Sequence, residues 1–196
     1  MAGIGLYGVY YSKATVADGV VTGYAGVQTM GKAISASFEP AEGSDNPLYA
    51  NNAVAENDTN AGSGGTLTLT LDRLKYAAIA DLFGLTLKTV TTDQQGFDYD
   101  GTEAAAPVGV AFIRQMQEDN DRGIHEVILF RRVTFSMPSE EGQTMGESIE
   151  WQTPEIEGTV YGKEASGTNP WMQRYRFASQ DAAVTWITAQ FAAATT

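Results

Sequence analysis

Gly3-Ile4-Gly5-Leu6-Tyr7-Gly8 has the G-x-G-x-x-G spacing that cradles a pyrophosphate at the start of a helix. That chemistry needs a strand before the glycines and a helix after them. Here a Tyr- and Val-rich, strand-like run follows, so they read as glycines of a packed N-terminal strand. Asp98-Tyr99-Asp100-Gly101 and Asp119-Asn120-Asp121 match fragments of calcium loops, but Gly109 and Phe130 stand where a closing Glu is required. Both read as turn acids. His125 lies inside a strand-like run, and there is no G-x-S-x-G elbow to partner it. The chain has no cysteine, which excludes disulfides, thiolate nucleophiles and Cys-based zinc sites. A single histidine excludes a His-cluster metal site. Asn57-Asp58-Thr59 is a glycosylation sequon, which acts only behind a secretory signal. None of the 24 acids forms a pair singled out by its setting for glycoside hydrolysis. The expectation is a non-enzymatic chain with no catalytic residue, cofactor or metal.

The distribution of charge is more informative. Twelve Lys and Arg face 24 Asp and Glu, for a net charge of −12, which disfavours nucleic-acid backbones and anionic membranes as bound partners. Between Lys32 and Arg73 there is no cation, only Glu39, Glu42, Asp45, Glu56, Asp58 and Asp72. Between Arg132 and Lys163 there is again none, with Glu140, Glu141, Glu147, Glu150, Glu155 and Glu157. Acids and cations balance over the rest of the chain. Two solvated acidic loops would account for this; so would strands presenting a wet surface from which cations are excluded. A polyanion would slide along such a surface, with repulsion reaching about 8 Å at physiological salt. No apolar run approaches the ~20 residues of a membrane span, and the N-terminus has no basic n-region, so the expectation is folding in a cytoplasm without membrane insertion.

The elements that would carry this surface are mostly strands. At 196 residues the chain suits one domain with a core that needs no disulfide. Strand-like runs occupy Ile4–Lys13, Val20–Tyr24 after the turn Ala17-Asp18-Gly19, and Ile34–Phe38, where Ile34, Ala36 and Phe38 alternate with Ser35 and Ser37. Residues 41–65 read as a long polar loop without periodicity. Thr66–Leu71 alternates cleanly, Leu67, Leu69 and Leu71 against Thr66, Thr68 and Thr70. Asp72 reads as the N-cap of a helix running to Phe83 and stopped by Gly84. Residues 93–106 read as acidic and turn-rich. Pro107–Gln117 and Ile124–Phe135 form a hairpin about Asp119–Gly123, and Gly146–Tyr161 reads as a strand interrupted at Pro154. Residues 162–196 form a C-terminal extension whose helix starts at a Ser179 cap, with Ala183, Val184, Ile187 and Phe191 on one face.

In this order, LYGVYYSK, AISASFEP, LYANNAVAENDTNAGSGGTLTLTL, DRLKYAAIADLFG, PVGVAFIRQMQEDNDRGIHEVILFRRVTF, SMPSEEGQTMGESIEWQTPEIEGTV and RYRFASQDAAVTWITAQF resemble the major tail (tail tube) protein of long, non-contractile-tailed bacteriophages. The likeness runs from about Leu6 to Phe191. It implies a mainly β, α+β fold: a β-sandwich or partial barrel with a flanking helix and a C-terminal helix. It also implies hexameric rings that stack into a hollow tube through which genomic DNA passes without specific binding. Tape-measure, tail-terminator and distal tail proteins are the implied partners, and the virion the implied location after assembly in the host cytoplasm. Carried onto this chain, the inner-sheet segments are Ala33–Glu39, Thr66–Leu71, Val127–Phe135 and Glu147–Glu157. The lumen-facing candidates are Ser35, Ser37, Glu39, Thr66, Thr68, Thr70, Glu150 and Gln152. Residues 41–65 become a ring-bridging loop, with candidates Asn46, Pro47, Leu48, Tyr49, Asn51, Asn52 and Glu56. Arg131 and Arg132 interrupt a uniformly acidic wall, since strand alternation puts adjacent residues on opposite faces.

Two other classes compete. A monomeric β-sandwich binding module, for example one for host carbohydrate at a tail tip, would display Trp and Tyr beside polar groups. Trp151, Trp171 and Trp186 are instead spread over a strand, a loop and a helix. An acid-dependent hydrolase finds no anchored site.

Overall fold

The computed structural model describes residues 2–192 apart from 51–52, 61, 92–93, 120, 141, 143, 145–151 and 165–168, and only the backbone of Ala2, 44–50, 53–60 and Asp121. The fold is mainly β. In chain order it comprises β1 (Ala2–Ala17), β2 (Val20–Tyr24), β3 (Gln28–Gly31), β4 (Ala33–Pro40), β5 (Ser44–Ala50), β6 (Ala53–Asn60) and β7 (Gly64–Leu71). Then follow α1 (Tyr76–Phe83), β8 (Lys88–Thr91), β9 (Gln94–Gly96), β10 (Val108–Glu118), β11 (Asp121–Phe135), β12 (Glu155–Tyr161), β13 (Met172–Phe177) and α2 (Gln180–Ala192).

Turn chemistry sets the first hairpin. Asp18 and Gly19 both take positive φ, 51° and 78°, the pair of left-handed residues that a two-residue hairpin turn requires. The main sheet runs β2-β1-β10-β11-β12-β7-β4, with β13 also paired to β11 and β3 to β1. All of these pairings are antiparallel. One residue, Lys32, separates β3 from β4, so a nearly continuous strand joins β1 at its start and β7 at its end. The sheet therefore curls towards a partial barrel, joined through β3, while the far side of β4 has no ladder partner among the described residues.

Its interior is filled by alternate residues of each strand, among them Val9, Tyr11, Leu67, Leu69, Leu71, Phe112, Phe130, Val133, Ile156 and Val160, with Ala78, Leu82 and Phe83 of α1 closing it. Burying each large apolar side chain contributes roughly 1.5–3 kcal/mol. A second cluster lies on the outer side, where Ala183, Ile187 and Phe191 of α2 cover Ala111, Ile113, Val127 and Leu129. β10 and β11 are thus buried on both faces, which is why they read as continuous apolar runs rather than alternating ones. Gly109 makes the close approach of α2 feasible: a Cβ there would lie 2.5 Å from the Phe191 ring.

Several expectations are corrected. The polar stretch 41–65 is not an aperiodic loop: β5 and β6 pair as an antiparallel ribbon that extends the β4–β7 ladder. Asp72 does not cap a helix. Its carboxylate accepts the Lys32 N–H at 2.7 Å, which lowers its pKa, and the helix begins only at Tyr76, after Lys75. Ile34 does not share the inward face with Ala36 and Phe38, because a bulge between Ala33 and Ser35 leaves it 53% exposed. Arg131 and Arg132 do not obey simple alternation either. The β10–β11 register slips between Val108 and Val110, so Phe130 and Val133 both enter the core and the two arginines between them stay outside it. β3, β8, β9 and β13 were not anticipated, and the described part of the strand expected over 146–161 begins at Glu155. The Gly84 stop (φ 68°) is found, as is the Ser179 cap, whose Oγ accepts the Ala182 N–H at 3.2 Å.

Candidate functional site

The alternation in Thr66–Leu71 acquires neighbours in the sheet. β7 lies between β4 and β12, and the registers set Ser35, Thr70 and Glu155 in one row, Ser37, Thr68 and Glu157 in the next, and Glu39, Thr66 and Thr159 in a third. All nine side chains are exposed or half-buried. The alternate residues Leu67, Leu69, Leu71, Ile156 and Val160 are buried beneath them. Ser35 Oγ donates to Thr70 Oγ1 at 2.8 Å, and Thr70 Oγ1 donates to Glu155 Oε2 at 3.4 Å. These cross-strand bonds order the first row without consuming the carboxylate. Rows repeat every two residues, about 7 Å. The face therefore carries three carboxylates and six hydroxyls, with no cation among its nine residues. Arg132 marks its margin: its guanidinium lies 4.2 Å over the ring of Tyr161, the next outward residue of β12.

Of the candidates read from the sequence, Ser35, Ser37, Glu39, Thr66, Thr68 and Thr70 come together on this face. Gln152 is exposed in the segment leading into β12, and Glu150 lies outside the described residues. Glu155, Glu157 and Thr159 complete the face; the period-2 pattern EIEGTVY would have found them. Asn46, Pro47, Leu48, Tyr49 and Glu56 lie on the β5–β6 ribbon, whereas Asn51 and Asn52 lie outside the described residues.

Edges bear on what the face can do. β4 is hydrogen-bonded to β7 on one side, and among the described residues no strand pairs with its other side. Such an edge is a template for another chain's strand. Beside the face, an open groove of about 370 Å³ is lined by Phe83, Glu103, Thr134, Ser136, Met137, Thr159 and Tyr161, among others.

Two buried polar constellations stand apart from it. Glu126 on β11, 5% exposed, receives Nε and Nη2 from both Arg114 of β10 and Arg174 of β13. Burial alone would push its pKa up; the hydrogen bonds and charges of the two arginines outweigh that and hold it below the ordinary carboxylate value. Glu164, 4% exposed, accepts the Val21 N–H at 3.1 Å and lies 4.0 Å from Arg131. Beside it, burial raises the Tyr24 hydroxyl to about 12; the Arg131 charge opposes this and the smaller effect of the Glu164 charge adds to it.

The motifs weighed for catalysis have structural roles. The Gly3–Gly8 glycines lie within β1, where the bulged Gly8 takes φ 49°. His125 Nδ1 sits 3.0 Å from the Gly123 carbonyl, and its ring packs against Tyr7. Asp100 accepts the Thr102 N–H and hydroxyl within its own turn. Among the described residues no group of three or more His, Asp or Glu side chains could hold a metal. The chain matches no protein-family model and no curated protein.

Proposed function

We propose that this chain is the repeating subunit of a phage tail tube, assembling into hexameric rings that stack into a conduit for DNA. The observation that carries the reading is the three-row face of β4, β7 and β12. It is a three-stranded surface of hydroxyls and carboxylates, free of cations among its nine residues, on a strand group with an unpaired edge at β4 among the described residues. A polyanion meets repulsion there only within about 8 Å, so it would pass without sticking. Pairing of the β4 edge with a neighbouring copy satisfies its N–H and C=O groups, rotational symmetry closes the ring, and head-to-tail stacking continues without limit. The order of elements, which resembles that of tail tube proteins, points the same way. Tape-measure, tail-terminator and distal tail proteins are then its partners, and the virion its location.

A monomeric carbohydrate-binding module is the second reading, favoured by the groove that sets Tyr161 beside Glu103, Thr134, Ser136 and Thr159. Electron microscopy of the concentrated protein separates the two. Hollow tubes or six-fold rings are expected; monomers at every concentration and salt would refute the tube.

A further inference from the structure

The β5–β6 ribbon and the arginine-bearing surface of β10, β11 and β13 each lack something that the other supplies. The ribbon pairs seven positions, from Ser44↔Asn60 to Ala50↔Ala53, so it is about 24 Å long. No further strand pairs with it among the described residues. A lone two-stranded ribbon is marginally stable at best in water, so its stability depends on a surface to lie against. It carries Asp45, Glu56 and Asp58 and no Lys or Arg.

The opposite charge is concentrated on one sheet face. Arg114, Glu126 and Arg176 stand in register across β10, β11 and β13, and Arg174 reaches the same carboxylate. The Arg114, Arg174 and Arg176 side chains are 34%, 52% and 56% exposed, while Glu126 lies buried beneath them. Two guanidiniums share that one carboxylate. Each has five N–H donors and spends two on Glu126, so the trio keeps a net positive charge and donors beyond what Glu126 can take. Among the described residues Arg176 pairs with Glu118 at 3.6 Å, both side chains about half exposed, a pair of little strength. β13 is also an edge: it is hydrogen-bonded to β11 and to no other described strand.

We infer that the acidic β5–β6 ribbon of one copy docks on the arginine face of β10, β11 and β13 of a second copy, its backbone adding to the open edge of β13. This rests on the tube reading and gives the bridging arm its receptor. Main-chain hydrogen bonds along an edge supply affinity, and bidentate arginine–carboxylate pairs supply register. Because the contact is head-to-tail, each copy offers an arm and a receptor, and the chain of contacts has no end.

A charge swap tests it on the full chain. Arg174→Glu with Arg176→Glu is expected to raise the protein concentration needed for assembly roughly tenfold or more, the scale of close interfacial charge pairs. Adding Asp45→Lys, Glu56→Lys and Asp58→Lys is expected to restore most of the loss. Circular dichroism checks folding, and Arg176→Glu alone, which spares the Glu126 clamp, replaces the pair if that clamp fails. Because the chain has no cysteine, Asp58→Cys with Arg176→Cys gives a clean crosslink, expected as a covalent ladder only in assembled material. Parent protein that never assembles would overturn the tube reading and the inference together. Assembly lost on deleting 44–60 but indifferent to the arginine substitutions, with no ladder, would overturn the inference alone. So would arginine variants that assemble normally but lose binding to a duplex oligonucleotide, which would make a polyanion the occupant.

Discussion

Replacing Glu126 by Gln keeps the shape of the side chain and removes the one charge that two arginines share. Four charge-assisted N–H bonds converge on this carboxylate, which is only 5% exposed. Breaking a fully buried ion pair costs about 3–5 kcal/mol, whereas an exposed pair is worth about 0–1. Arg114 and Arg174 are 34% and 52% exposed, so both can regain water once the carboxylate is gone, and the cost falls between the limits. We expect about 2 kcal/mol for Glu126→Gln and about 1 kcal/mol for Arg174→Ala, after which Arg114 still holds the carboxylate. The double variant is expected to cost less than the two added together, because only one unmatched guanidinium then remains. Urea unfolding at neutral pH measures all three; in a chain of this size 2 kcal/mol is a melting shift of roughly 4–8 °C.

The pH dependence fixes the sign independently. The folded carboxyl ionises below its ordinary value of 4.5, so its stabilisation is complete above that value and fades as pH falls through the lower folded one. Parent and Glu126→Gln should therefore converge in acid. Equal stability at pH 7, strict additivity, or a gap that persists below the folded pKa would refute the reasoning.

Two further perturbations probe other parts of the fold. Gly158→Ala places a methyl 2.7 Å from both the Phe135 and the Val133 side chains, so it should destabilise by about 1–3 kcal/mol in the same assay, and a neutral result would mean that these side chains move freely. Thr68→Lys with Glu157→Lys puts two cations at paired positions of the exposed face; folding and tube formation should survive while DNA ejection slows, and unchanged infectivity would argue against a lumen position.

Local pattern was enough to read Thr66–Leu71 and α2, because each has one wet face and one dry face whose period survives in the sequence. It was enough for the β10–β11 hairpin too, through its turn residues, although burial on both faces erased the alternation. The ribbon was illegible for the opposite reason: strands that bury no core face carry no apolar period, so SDNPLYA and AVAENDTN read as loop. β13, with its sequence MQRYRF, looks unlike a strand until Glu126 is placed next to its arginines, and that neighbour comes 48 residues earlier. The bulges at Ile34 and at Arg131–Arg132 depend on the register of a partner strand, which one segment cannot reveal. Asp72 looked like a helix cap because a short carboxylate before a helical run usually is one; the amide of Lys32, between β3 and β4 and forty residues earlier, claimed it instead. Six of the nine residues of the polar face, those on β4 and β7, are legible for the same reason as Thr66–Leu71; Glu155, Glu157 and Thr159 follow Pro154, in a strand whose alternation resumes only there.

The pairing of β1 with β10 also governs how fast the molecule can be made. Lys13 meets Val108 and Ala2 meets Gln117, contacts that close loops of about a hundred residues. Folding dominated by such distant pairings takes milliseconds to seconds rather than microseconds. On a ribosome adding about 5–20 residues each second, β1 can pair with β2 and β3 soon after it is made, but its ladder with β10 waits roughly 5–20 s. The cation-free stretch from Glu39 to Asp72 is synthesised within that interval. Its like charges hold neighbouring nascent chains apart until β10 and β11 arrive. The same acidity that marks the finished face thus also favours separation of unfinished chains.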